Sequence, residues 1–156
     1  MSMTLNGTSG IVTPAGLTIN NAPAFSAYQN ASTSVSVSTA TKILFQVEEF
    51  DTNNNFASST FTPTVAGYYQ ITATSDYFSG ATTGGNSFLS IFKNGSEFKR
   101  GVVNATALQP SLTVSALVYC NGSTDYIDIY AFQSLGTQTT SGNSFTYFQG
   151  CMVRSA

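Results

Sequence analysis

The chain has 156 residues and a formal net charge of −2, with 42% hydrophobic and 13% aromatic residues. This length suits one domain, and the apolar content is too high for a disordered chain. Five Lys and Arg residues cannot form a phosphate-tracking stripe, and no apolar run approaches the ~20 residues that span a bilayer. Neither nucleic-acid binding nor membrane insertion is therefore expected.

Charged residues make up only 8% of the chain, against about 25% in an ordinary soluble domain. Ser, Thr, Asn and Gly replace them as the polar surface, as is common in extracellular and viral β-proteins. The N-terminal residues MSMTLNGTSG lack the charged and apolar regions of a signal peptide. We therefore expect no secretion signal, and release by a route such as lysis if the protein works outside the cell.

Turn-forming residues punctuate the first 23 positions, where Gly7, Gly10, Pro14, Gly16 and Pro23 stand among single apolar residues. This pattern predicts an extended segment or hairpin and no packed core. We interpret residues 1–23 as a connector or attachment arm, with a loose terminal arm as the alternative. Residues 24–156 form the predicted globular head.

Short strands separated by turn clusters are predicted throughout the head, at the spacing of an all-β sandwich or barrel. The candidate strands are Ala24–Tyr28, Val35–Val37, Thr41–Phe45, Tyr68–Tyr77, Ser87–Phe92, Phe98–Val103, Ser111–Tyr119, Tyr126–Phe132 and Ser144–Val153. The predicted breakers are Asp51–Asn55, Pro63–Gly67, Ser79–Asn86, Asn94–Gly95, Asn121–Gly122 and Gly136–Asn143. No segment keeps the 3.6-residue period of an amphipathic helix.

Alternation along three of these strands separates an apolar face from a mixed face. The apolar faces carry Tyr69, Ile71, Ala73 and Tyr77; Leu112, Val114, Ala116 and Val118; and Ile127, Ile129 and Ala131. The opposite faces are polar at one end of a strand and apolar or aromatic at the other. A monomer would show a cleaner solvated face, so the mixture indicates burial between subunits. Long aromatic side chains spread over a solvated sheet are the alternative.

The chain offers little catalytic chemistry. It contains no histidine, which removes Ser-His-Asp, Cys-His and His-metal sites. Cys120 and Cys151 are too few for a disulfide framework, and we expect free thiols, with a single bridge as the alternative. We predict no catalytic residue, no cofactor and no enzyme activity.

The carboxylates cluster at one place, Glu48, Glu49 and Asp51. Adjacent Glu48 and Glu49 would face opposite sides of a strand and could not flank one glycosidic bond, which argues against a glycan depolymerase. With Asn53–Asn55 the cluster could supply oxygen ligands to calcium, but the spacing matches no known calcium loop. A solvated loop is the preferred interpretation, and no metal ligand is assigned.

Four segments, in this order, resemble the globular head of the C1q/tumour necrosis factor superfamily. They are the Phe-Pro-Gly turn before an aromatic strand (Phe61, Pro63, Gly67, Tyr69), the apolar strand ending in Asn94-Gly95, the strand after the turn at Gly122 and Asp125, and the final strand (Tyr147, Phe148, Gly150, Met152). The opening PAFSAY, Pro23–Tyr28, is similar to the family's first strand. The resemblance covers about residues 24–156.

The resemblance implies a ten-stranded jelly-roll β-sandwich that assembles as a compact homotrimer. The inner sheet, including the first, the Tyr68-containing and the last strands, would line the three-fold axis. The trimer-interface candidates are Tyr68, Tyr69, Leu117, Tyr119, Tyr147 and Phe148. The strands that end in Cys120 and Cys151 would both neighbour the Tyr68 strand, which disfavours a disulfide. Heads of this family sometimes hold calcium near the trimer apex, which keeps calcium open as a bound ion.

The leader NGTSGIVTPAGLTINNAP resembles the thin N-terminal part of bacteriophage tail-fibre proteins, and the head, with EEFDTNNNF and FTPTVAGYYQ, resembles C1q-like domains of phage virion proteins. This implies a virion-associated fibre or adhesion protein. Its head would contact a host-surface receptor or glycan, and its arm would bind a neighbouring virion protein. A structural capsid decoration or fibre cap is the alternative, and a secreted cellular effector would need a signal sequence.

Recognition is expected in three long loops that are rich in small polar residues: Ser79–Asn86, Asn104–Pro110 and Leu135–Asn143. Loops on a rigid sandwich are where binding residues concentrate. Their hydroxyl and amide groups suit sugars, and ordinary solvent loops are the alternative.

Overall fold

The computed structural model describes residues 4–6, 10–12, 22–79, 85–101 and 111–156. Its strands are β1 (Thr4–Asn6), β2 (Gly10–Val12), β3 (Ala24–Tyr28), β4 (Ser34–Val35), β5 (Thr41–Lys42), β6 (Val47–Asp51), β7 (Phe56–Ala57), β8 (Thr60–Phe61), β9 (Gly67–Ser79), β10 (Ser87–Lys93), β11 (Ser96–Arg100), β12 (Ser111–Cys120), β13 (Ile127–Gln133), β14 (Gln138–Thr140) and β15 (Tyr147–Ser155). None of the described residues lies in a helix, and so none forms a helix long and apolar enough to cross a membrane.

Two antiparallel sheets pack face to face. The inner sheet has the order β4-β14-β9-β15-β3-β6, and β12 also pairs with β9. The outer sheet has the order β11-β10-β13-β8-β7, and β5 also pairs with β13. Strands β1 and β2 pair separately, with Leu5 opposite Ile11. This arrangement confirms the predicted all-β jelly roll.

The core lies between the two sheets because side chains alternate between the faces of a strand. On β9, Tyr69, Ile71 and Ala73 are fully buried, as the alternation predicts. Their partners on β12 in the same register are Val118, Ala116 and Val114. The outer sheet closes the core with its own inward positions: Leu89, Ile91, Ile127, Ile129 and Ala131. Full burial of each large apolar side chain contributes about 1.5–3 kcal/mol relative to exposure.

Aromatic rings fill one part of this core. The Phe25 ring stacks on Phe61 with a centroid distance of 4.3 Å and meets the Phe148 ring edge-on at 4.8 Å. Phe56 stacks on the same Phe25 ring at 5.1 Å. Phe25 and Phe148 belong to β3 and β15 of the inner sheet, and Phe61 and Phe56 belong to β8 and β7 of the outer sheet. The cluster therefore packs the two sheets against each other. Phe61 and Phe148, which belong to two of the motifs that resemble the family, therefore pack in the core.

The long strands agree with the ranges predicted from the sequence, whereas the short strands differ from them. The predicted strand Thr41–Phe45 ends at Lys42. The Ile43 N–H still donates to the Ile129 carbonyl at 2.9 Å, but side chains accept from the two donors after it: the Leu44 N–H donates to Thr33 Oγ1 at 3.4 Å and the Phe45 N–H to Ser59 Oγ at 2.8 Å. The predicted strand Val35–Val37 is Ser34–Val35, and Ser38 then adopts a positive φ of 55°.

Other boundaries also differ from prediction. The predicted breaker Gly136–Asn143 contains β14, and the polar strand β6 precedes the turn predicted from Asp51. Strand β11 is Ser96–Arg100, shifted from the predicted Phe98–Val103, whose last two residues lie outside the described ranges. Of the predicted recognition loops, Leu135–Asn143 is fully described, Ser79–Asn86 only at its ends, and Asn104–Pro110 not at all.

The sandwich has two distinct ends. At the base, β3 begins opposite the end of β15, with Ala24 paired to Cys151, and the Met152 N–H donates to the Pro23 carbonyl at 2.9 Å. Residue 23 therefore enters the head at the base. At the apex, the Ser141 N–H donates to the carbonyl of Asp76 near the far end of β9.

Candidate interaction surfaces

The outward side of the inner sheet presents a broad surface of small polar and aromatic residues, the centre of which we call the β9 face. It consists of Tyr68, Gln70, Thr72 and Thr74 of β9; Thr113, Ser115, Leu117 and Tyr119 of β12; and Tyr147, Gln149 and Cys151 of β15. Register aligns these residues in rows, such as Gln149, Thr72 and Ser115. None of these residues is charged, and the same side of the sheet carries Asp76 at the apical end of β9 and Arg154, the partner of Tyr68, at the opposite end.

Hydrogen bonds within the chain already satisfy much of the polar chemistry of the β9 face. Gln70 Nε2 donates to Ser115 Oγ at 2.8 Å, and the hydroxyls of Thr72 and Ser115 lie 3.0 Å apart. The hydroxyls of Thr74 and Thr113 lie 3.3 Å apart. Polar groups that are paired in this way can be covered by another surface at little cost, whereas unpaired ones cannot.

The interface candidates from the sequence divide between surface and core. Tyr68, Leu117 and Tyr119 are 39%, 52% and 43% exposed on the β9 face, and the Tyr68 and Tyr119 rings lie 5.4 Å apart. Tyr147 is half-buried on the same face. Tyr69 and Phe148 are 0% exposed, because alternation turns both inward, and they are core residues of the single chain.

Three further exposed residues on or beside the β9 face were not among those candidates. Cys151, Phe50 and Val153 are exposed, the last two at 51% each. Phe50 and Cys151 line a shallow hollow of about 220 Å³ with Gln149 and Gly150. Alternation along β15 turns Phe148 inward and Cys151 outward, so the exposure of Cys151 is predictable from the sequence.

A polar cluster closes the base of the sandwich. Asp125 accepts hydrogen bonds from Asn94 Nδ2 at 2.7 Å and from the Asn121 N–H at 2.9 Å, and it pairs with Lys93 Nζ at 2.9 Å. These bonds, chiefly those from the side chains of Asn94 and Lys93, hold the pKa of Asp125 below its usual value. The cluster joins the Asn94–Gly95 hairpin to the turn before β13, which is a structural role.

The carboxylates of the suggested calcium loop have partners of their own. Ser26 Oγ donates to Glu49 Oε2 at 2.6 Å. Asp51 accepts hydrogen bonds from the N–H groups of Asn53 at 3.3 Å and Phe56 at 2.6 Å, which closes the turn between β6 and β7. Among the described residues, no three His, Cys, Asp or Glu side chains are grouped closely enough to hold a metal ion.

Both cysteines are free, and they lie in different environments. Cys120 is buried at the base and Cys151 is exposed on the β9 face. Burial raises the pKa of the Cys120 thiol to about 11, so this thiol stays protonated at neutral pH. The strands carrying the two cysteines flank β9 on opposite sides, as the family resemblance implied.

No protein-family model matches this chain, and no curated protein matches it. Solved structures are similar. The globular domain of zebrafish complement 1qA has a TM-score of 0.63 at 16% identity, over 87% of this chain and all of that one. Murine APRIL has a TM-score of 0.63 at 12% identity, over 85% of this chain and all of that one.

A phage protein is also among the similar structures. The PRD1 vertex protein P5 has a TM-score of 0.53 at 19% identity, over 86% of this chain and 95% of that one. Identities this low establish the fold and leave activity and partners open. The chain therefore has the jelly-roll fold shared by C1q and tumour necrosis factor globular domains.

Proposed function

We propose that this chain forms a homotrimer through the β9 face and serves as the head of a virion-associated adhesion protein. The observation that carries this proposal is the β9 face itself. It exposes Leu117, Tyr68 and Tyr119 among uncharged residues, with Asp76 and Arg154 only at the two ends of the sheet surface, and the centres of protein interfaces are likewise depleted of charge and rich in aromatic residues.

The fold supports the same assembly. C1q and tumour necrosis factor heads form trimers around the corresponding inner sheet, as the family resemblance in the sequence implied. In three copies the hydroxyl rows around Thr72 and Ser115 would be covered while keeping their hydrogen bonds within each chain. Domains with this fold are ligand-binding or structural modules, which supports a non-enzymatic role.

The two ends of the head suit different tasks. Residue 23 enters at the base, and in this proposal residues 1–23 attach the head to a neighbouring virion protein on that side. The apex, with the described loop Leu135–Asn143, would face away from that attachment. Three copies of a weak host-surface site on one head would add through effective concentration.

Cell binding tests the adhesive role. Fluorescently labelled protein would be offered to a panel of bacterial strains, and we expect it to bind a subset of them. Leu117→Asp should lower the apparent affinity about 100-fold, because a monomer loses the multivalent gain. Leu44→Asp is the matched control, since Leu44 is 46% exposed outside the β9 face, and it should bind like the wild type.

A structural role is the second candidate, as a capsid decoration or fibre cap without a receptor. The likeness to the PRD1 vertex protein P5 favours it. This candidate predicts that the trimer forms and that no strain in the panel binds it. That result would contradict the adhesive role and leave the assembly intact.

A further inference from the structure

A slot of about 310 Å³ opens on the outward side of the outer sheet, a volume within the range of small-molecule pockets. Two aromatic stacks line it. The Phe88 and Phe132 rings stack with centroids 4.8 Å apart, and the Phe92 and Tyr130 rings with centroids 4.1 Å apart. We call this feature the aromatic slot.

Strand geometry creates the space between the stacks. Phe88, Ser90 and Phe92 lie on the same side of β10 because side chains alternate, and Ser90 is the small residue in the middle. The pairing of β10 with β13 sets Phe88 opposite Phe132 and Ser90 opposite Tyr130. A larger side chain at position 90 would fill the slot.

A neutralised ion pair borders the slot. The Arg100 guanidinium donates to both carboxylate oxygens of Glu97 at 2.8 Å and lies over the Phe88 ring, with Cζ 3.9 Å from the centroid. Buried Ser90 donates to Glu97 Oε1 at 2.6 Å. The pair cancels its own charge, and its bonds to Glu97 use two of the five N–H donors of the guanidinium. Phe132 and Arg100 cover the Phe88 ring, which is only 8% exposed, so the apolar walls open to a ligand are Phe92, Tyr130 and Phe132. The slot combines these walls with no net charge and remaining hydrogen-bonding capacity at its rim.

We propose that the aromatic slot binds one neutral pyranose unit of a cell-surface glycan. A pyranose ring has apolar C–H faces that pack against aromatic walls and hydroxyls at its edge that bond to carboxylate, guanidinium and amide groups. Glu97, Arg100 and the exposed Asn86 supply such groups. A charged sugar gains nothing from a balanced ion pair, and a purely apolar ligand would cover these polar groups without replacing their water.

The position of the slot suits binding in the assembled protein. The slot lies on the outer sheet, whereas the β9 face lies on the inner sheet, so a trimer formed through the β9 face leaves all three slots open. The slot extends to Asn86, at the apical end of β10 and away from the entry of residue 23. That the slot binds a pyranose does not depend on the proposed adhesive role. That the pyranose belongs to a cell-surface glycan rests on it.

Saturation-transfer NMR on the full chain tests the slot directly. The probes are the methyl glycosides of glucose, galactose, mannose, N-acetylglucosamine and N-acetylgalactosamine at millimolar concentration. We expect at least one to receive saturation, strongest at the C–H protons of one ring face. Ala40→Tyr places a bulky side chain at the exposed rim without touching the core, and it should weaken binding at least about tenfold.

Phe132→Ala removes one wall and should weaken binding similarly. Phe145→Ala is the control, since Phe145 is 66% exposed and does not line the slot. The inference is overturned if no glycoside receives saturation, if the two slot variants bind like the wild type, or if only an aromatic amino-acid amide binds. Binding to strains without binding to any glycoside would contradict the sugar site and leave the adhesive role standing. Binding to a glycoside without binding to any strain would contradict the adhesive role and leave the sugar site standing.

Discussion

At the scale of single residues, Asp125 shows how one carboxylate organises the base of the sandwich. It accepts hydrogen bonds from Asn94 and from the Asn121 backbone and pairs with Lys93, and its pKa is lowered as a result. Because folding lowers this pKa, the stabilisation is complete above the pKa of the unfolded chain, about 3.9, and disappears as the pH falls through the lower folded pKa.

Asp125→Ala should therefore lower the free energy of unfolding by about 1 kcal/mol at neutral pH, since the partly buried hydrogen bonds from Asn94 and Asn121 lose their acceptor. Urea unfolding of both proteins across the acid range measures the difference. It should start to shrink below pH ~4, where the carboxyl becomes protonated in the unfolded chain, and continue to shrink as the pH falls through the lower pKa of the folded protein. Glu48→Gln, at an exposed carboxylate, is the control. A difference that stays constant down to pH ~2 would contradict this account.

Residue positions were predictable from the sequence where alternation was regular. It places Tyr69 inward and Tyr68 outward, and both assignments follow from β9 alone. Tyr69 and Phe148 are interface candidates only through the family resemblance, to whose aromatic motifs they belong. Aromatic residues serve core and interface equally well, so composition cannot separate the two.

At the scale of elements, a buried polar network holds the apical segments together. Gln29 is fully buried: its Nε2 donates to Thr33 Oγ1 at 2.8 Å and to the Leu44 carbonyl at 3.1 Å, and its Oε1 accepts from Thr140 Oγ1 at 2.6 Å. One side chain thus joins the segments after β3 and β5 to β14. In the buried interior such bonds are costly to lose.

Gln29→Leu keeps the size of the side chain and removes these bonds, so the free energy of unfolding should fall by at least about 2 kcal/mol. Thermal or urea unfolding measures this. Gln46→Leu is the matched control, because exposed Gln46 also bonds to the neighbouring loop but water can replace its partners. Equal losses in the two variants would show that burial does not set the cost.

Similar side-chain bonds explain why the strand predicted at Thr41–Phe45 is shorter in the structure. Thr33, Ser59 and Gln29 supply side-chain partners to backbone groups that a strand would otherwise satisfy. These partners are 11 to 15 residues away along the chain. Local patterns of hydrophobicity and turn residues do not predict contacts between residues this far apart in the sequence.

At the scale of the whole molecule, the ordered motifs predicted the jelly roll because each marks a strand or turn that the fold requires. The aromatic slot was not predictable in this way. Phe88, Arg100 and Phe132 come from three strands, and only the register of β10 against β13 brings two of them together. The sequence predicts recognition in the loops, whereas the sugar site that we propose lies on strands of the outer sheet.

The central claim is that the β9 face joins three copies of the chain. Size-exclusion chromatography with light scattering on the purified protein at micromolar concentration measures this most directly. We predict a mass of three times the 16.4 kDa of the chain, with Leu117→Asp reduced to the monomer mass and Leu44→Asp still trimeric. A monomeric wild type, or a Leu117→Asp variant that remains a stable trimer, would contradict the claim.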